Sequence, residues 1–141
     1  MESDNRSTTA VEKLTGGFAL PQQEPSRLLQ DIIDHLMIHP NSTFAVHVGS
    51  MAMRGLGIFE GDTLLVDRSL EPHHNQIVLA VVDGEFLVRQ LHIHQGTVEL
   101  HPANSRFPII TPREGHEIIL WGVAVTVIKR LFRKNRDGKT A

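Results

Sequence analysis

The stretch AVVDGEFLVRQL, Ala80 to Leu91, decides the fold. Two apolar runs flank Asp83-Gly84, and an Asp-Gly pair supplies the positive backbone dihedrals that a two-residue hairpin turn demands. The stretch therefore reads as the heart of two antiparallel strands, Gln76 to Val82 and Glu85 to His94. Gln95-Gly96 marks a second turn, which leads into a strand over Thr97 to His101. Upstream, Phe44, Val46 and Val48 alternate with Thr43, Ala45 and His47, and Thr63 to Asp67 forms another short run. Downstream, Asn104 to Glu114 carries two prolines and reads as a loop, before a last long strand over Glu117 to Lys129.

Ahead of Pro40 the period is helical instead. Leu28, Leu29, Ile32, Ile33, Leu36 and Met37 fall on one stripe, with Ser26 as candidate N-cap, Asp31 and Asp34 off the stripe, and His39-Pro40 as the stop. Residues 1–25 are polar, with Gly16-Gly17 and two prolines, and read as an extended arm. Residues 26–132 form the single domain that 141 residues can support. At 133–141 the chain ends in a basic tail, where Arg133, Lys134, Arg136 and Lys139 follow Lys129 and Arg130 and read as a solvated segment.

Composition excludes several classes. Without cysteine there is neither a disulfide framework nor a thiolate metal site. The longest apolar runs, Gln76 to Val82 and Ile118 to Ile128, are too short to span a membrane, and the N-terminus lacks the basic-then-apolar order of a signal peptide. A soluble, cytoplasmic protein is expected. A formal net charge of −2 argues against direct DNA binding, whose basic footprint normally dominates a domain.

With these elements in place, IFEGDTLLVD, Ile58 to Asp67, and AVVDGEFLVRQL resemble segments of the LexA/UmuD family of self-cleaving regulators. Gly17-Phe18, His39-Pro40, His101 to Ser105 and Trp121-Gly122-Val123 match at consistent spacing, and the short arm is most similar to the UmuD branch. The resemblance implies a mainly β fold like the LexA/UmuD C-terminal domain: a twisted, partly closed sheet with one N-terminal amphipathic helix and an extended arm. In that family a serine just before a methionine attacks a peptide bond of the protein's own arm, and a neutral lysine from the neighbouring hairpin takes its proton. Here Ala52 precedes Met53 at the nucleophile position, Arg89 stands at the base position, and Gly16-Gly17 matches the scissile bond. The resemblance further implies a role in the SOS response to DNA damage. It implies a homodimer formed partly through the C-terminal edge, a Y-family (UmuC-like) DNA polymerase as partner and the RecA filament as trigger. It also leaves room for a catalytic UmuD-like paralogue that pairs with this chain and cuts its arm in trans.

Nucleophilic catalysis needs an attacking atom and a group to deprotonate it. Alanine offers no side-chain heteroatom, and a guanidinium keeps its proton in proteins, so either replacement alone disables the dyad. A pseudoenzyme is the expectation. The fallback nucleophile is Ser50, in Gly49-Ser50-Met51, which needs two extra residues before Gly61-Asp62 and a base nearby. No lysine occurs between Lys13 and Lys129, which leaves His47 or His92 as the base, since imidazole titrates near neutrality.

Nine histidines raise the question of metal. His92 and His94 share a strand face and His73-His74 sits in a loop, but two ligands do not close a site, so neither metal nor cofactor is expected. Gly55-Leu56-Gly57 lacks the strand-to-helix setting and lysine ending of a phosphate loop and reads as a turn. Ile118 to Ile128 is apolar on both faces, which predicts burial on both sides, within the monomer or across a subunit boundary.

Overall fold

The structure, a computed structural model, describes residues 24–113 and 117–132. The Gly16-Gly17 bond and the tail from Arg133 onward lie outside them. The chain divides after Asp34 into two compact units.

Helix α1 spans Pro25–His35. The Glu24 carbonyl accepts the N–H groups of Arg27 and Leu28, both at 3.0 Å, and Pro25 takes the first helical position, where a missing N–H removes no helical bond. Ser26, the expected N-cap, therefore lies inside the first turn: the proline, with its dihedral already helical, sets the start. Gln30 Nε2 donates to Asp34 Oδ1 at 2.9 Å, a side-chain bridge across one turn. The helix stops before His39-Pro40, and Met37 adopts a left-handed φ of 60°, which a right-handed helix cannot continue.

Six strands follow: β1 (Thr43–His47), β2 (Thr63–Asp67), β3 (Ile77–Val82), β4 (Glu85–His94), β5 (Thr97–His101) and β6 (Ile118–Ile128). They form one sheet in the order β1-β2-β6-β3-β4-β5, with every neighbouring pair antiparallel. Both predicted turns are present. Asp83 and Gly84 have φ of 49° and 85°, Gln95 and Gly96 of 50° and 79°, so each pair supplies the two positive dihedrals of a type I′ turn.

The mainly β architecture with one helix is the expected one, and one detail differs. The sheet is open, with β1 and β5 at its edges, although register shifts at Leu65/Val66 and Leu79/Ala80 add local twist. Strand β6 lies between β2 and β3, which occupy both of its hydrogen-bonding sides. A strand apolar on both faces suits that central place, and Val123 is buried there, while Ile119, Val127 and Ile128 are exposed toward its ends.

Successive side chains of a strand point to opposite faces, so β3 feeds two cores. Leu79 joins Val48, Met53, Ile58, Leu64 and Val66 on one face, whereas Val78 and Ala80 join Leu91 and Leu100 on the other. Among the described residues no helix is long and apolar enough to cross a membrane.

Candidate functional site

The segment between β1 and β2 carries the candidate nucleophile positions, and its residues explain its shape. Val48, Met53 and Ile58 are buried in the first core, pinning the segment at three points. Gly61, at φ 94°, turns the chain so that its N–H donates to the Val48 carbonyl, and the Val48 N–H donates to the Asp62 carbonyl, both at 2.9 Å. The Asp62 carboxylate accepts the Phe59 N–H at 2.8 Å and pairs with the Lys129 ammonium, which also lies 4.4 Å from the Phe59 ring centroid. Gly61-Asp62 thus closes the base of the loop and ties it to the end of β6.

At the tip, residues 51–55 are clamped to the segment after β5. The Ala103 N–H donates to the Ala52 carbonyl at 2.8 Å, the Gly55 N–H donates to the Ala103 carbonyl at 2.7 Å, and Asn104 Nδ2 donates to the Met51 carbonyl at 3.0 Å. Arg54–Leu56 forms one turn of 3₁₀ helix, ended by Gly57 in the left-handed region, so Gly55-Leu56-Gly57 is a turn as its sequence implied.

Ala52 is completely buried and its N–H donates to Ser50 Oγ at 3.2 Å. Ser50 is half-buried and borders two spaces. One is a cleft of about 950 Å³ lined also by Met51, Arg54, Phe59, Arg106 and Phe107; the other is a cavity of about 240 Å³ lined also by His47, Gly49, Met53, Leu79 and Arg89. The tertiary fold therefore brings Arg89 from β4 and Ser50 from the β1–β2 segment to the walls of one cavity.

Arg89 pairs across the ladder with Val78, a residue of the second core, and is itself only 6% exposed. Its guanidinium donates to the Val88 carbonyl at 2.8 Å and lies 5.6 Å from the Phe107 ring centroid, while Nε has no partner among the described residues. Burial draws its pKa downward. An arginine starts so high that it stays charged; a lysine in the same place would be drawn toward neutrality.

The two histidines considered as bases for Ser50 diverge. His47 lines the cavity, with Nδ1 3.3 Å from Thr63 Oγ1. His92 instead stacks on His101, with ring centroids 3.6 Å apart, and meets His74 edge-on. Burial, then the charges of His101 and His74, push the His92 pKa down against the opposing pull of Glu99. His94 is exposed and outside this stack. Sequence spacing paired His92 with His94; only strand register sets His101 and Glu99 beside His92 and Gln90. No group of three or more His, Asp or Glu among the described residues is arranged to hold a metal ion.

Asp67, at the end of β2, is a buried carboxylate that sequence reading passed over. Its Oδ1 accepts the Ser69 hydroxyl at 2.7 Å and the Ser69 N–H at 2.8 Å, and its Oδ2 lies 3.1 Å from His39 Nδ1. The Ser69 hydroxyl, then its N–H, then His39 hold the Asp67 pKa well below the usual carboxylate range, against the opposing effect of burial. An aspartate two residues before a serine was the available signal, since that spacing makes a local side-chain turn.

Comparison with known proteins agrees with this architecture. The Peptidase S24-like family matches residues 10–125. The LexA repressor of Idiomarina loihiensis is 36% identical over 98 residues, 69% of this chain and 48% of the repressor, so the chain spans about half the length of that relative. A family match over most of the chain, together with this LexA relative, establishes that the chain belongs to the Peptidase S24-like family of LexA- and UmuD-like proteins.

Proposed function

We propose that this chain is a peptidase-inactive, UmuD-like member of its family, acting in the SOS response as a dimeric accessory subunit for a Y-family translesion DNA polymerase. One observation carries the reading: Ala52 and Arg89 stand where a Ser/Lys dyad would need a nucleophile and a neutral base. The methyl group of Ala52 is sealed in the interior, and Arg89 stays protonated at any pH the fold survives. Ser50 shares its cavity with Arg89, a cation that cannot accept its proton, and with His47, whose Nδ1 is already engaged 3.3 Å from Thr63 Oγ1. The family relationship and the LexA relative support the link to the damage response, and the partner polymerase follows from the resemblance to the UmuD branch.

The test is incubation of the purified chain with activated RecA filament, and separately at alkaline pH, followed by intact-mass measurement. The chain should stay whole under both conditions, since raising the pH neutralises a lysine base but not an arginine. A fragment beginning at Gly17 would refute the proposal, and loss of that fragment in Ser50→Ala would identify Ser50 as the nucleophile. Co-purification from damaged cells should recover a Y-family polymerase.

A further inference from the structure

Arg89 presents a problem that loss of catalysis does not solve. A buried cation normally sits opposite a carboxylate, because leaving water without compensation is costly. No ion pair joins Arg89 to a carboxylate among the described residues, its one hydrogen bond goes to the carbonyl of its own neighbour, and its Nε is left over. The arginine also lines a cavity of about 240 Å³, enough for roughly eight water-sized volumes. Ser50 lines the same cavity; its oxygen accepts the Ala52 N–H, and a hydroxyl can donate as well as accept. His47 also lines the cavity.

We infer that the cavity between Arg89 and Ser50 is a carboxylate-binding site, which takes an acidic side chain presented by a peptide segment lying along the adjoining cleft. A guanidinium fork matches a carboxylate in plane and spacing, and the Ser50 hydroxyl supplies a further donor on the same cavity. Ser50 borders both the cavity and the larger cleft, which sets the two spaces side by side. Arg54 and Arg106 line the cleft and favour the same charge in its occupant. This function goes beyond an absent peptidase: a buried positive charge at the old base position gives the site a ligand preference. It requires no statement about self-cleavage, and the two assays fail independently.

The experiment is an NMR titration of the full chain with N-acetylglutamate, following the Nε–Hε resonance of Arg89, with sodium chloride at matched ionic strength as control. The resonance should move saturably with N-acetylglutamate and stay in place with chloride. Affinity should fall on the order of tenfold in Arg89→Lys and about threefold in Ser50→Ala. If Arg89→Lys does not fold, the wild-type titration and Ser50→Ala decide the matter. An unmoved resonance, or an equal response to chloride, overturns the site.

Discussion

Single side chains set the conditions under which the sheet persists, and Asp67 is the clearest case. Its carboxylate is favoured in the folded state by Ser69 and His39, so its folded pKa lies below the value of about 3.9 expected in the unfolded chain. The stabilisation is complete above that unfolded value and disappears as the pH falls through the folded one. Urea unfolding of Asp67→Asn should therefore show a flatter acid limb than the native chain between about pH 5 and pH 2, with the largest loss of stability near neutrality. An unchanged acid limb would mean that other carboxylates set it. None of this was legible in the sequence beyond the Asp-x-Ser spacing, because His39 reaches Asp67 from 28 positions away.

At the scale of elements, short-range chemistry dominated wherever it was strong. The strand at Ala80 to Val82, its Asp-Gly turn and the return through Leu91 were readable because the φ requirement and the alternation act within a few residues. The clamp between residues 51–55 and Ala103 was not, because its partners are about 50 positions apart in sequence. Gly55 shows how tight that clamp is: a Cβ there would lie 2.6 Å from the Ala103 carbonyl oxygen, backbone that cannot swing aside. Gly55→Ala should cost about 1–3 kcal/mol in denaturant unfolding and should enhance amide exchange at Gly55 and Ala103. Gly49, with nothing within 4 Å of such a Cβ, is the control, and Gly49→Ala should change stability by well under 1 kcal/mol.

The whole molecule keeps the family scaffold, and the proposed loss of chemistry at Ala52 and Arg89 is open to direct experiment. Ala52→Ser with Arg89→Lys should restore cleavage before Gly17 at alkaline pH, detected by intact mass, while either single change should leave the chain whole. Failure of the double variant in a folded protein would show that the arm or the cleft has also diverged. Sequence by itself determined the strands, the two hairpin turns and the mainly β class, and it places alanine at 52 and arginine at 89. These follow from local dihedral preference, side-chain alternation and the chemistry of individual residues. Only the tertiary structure decided that β6 is central, that Ala52 is fully buried, and that Arg89 and Ser50 line one cavity, with no carboxylate paired to Arg89 among the described residues. Those facts depend on which distant segments share a face and exclude water together, a property of the packed chain that no local pattern encodes.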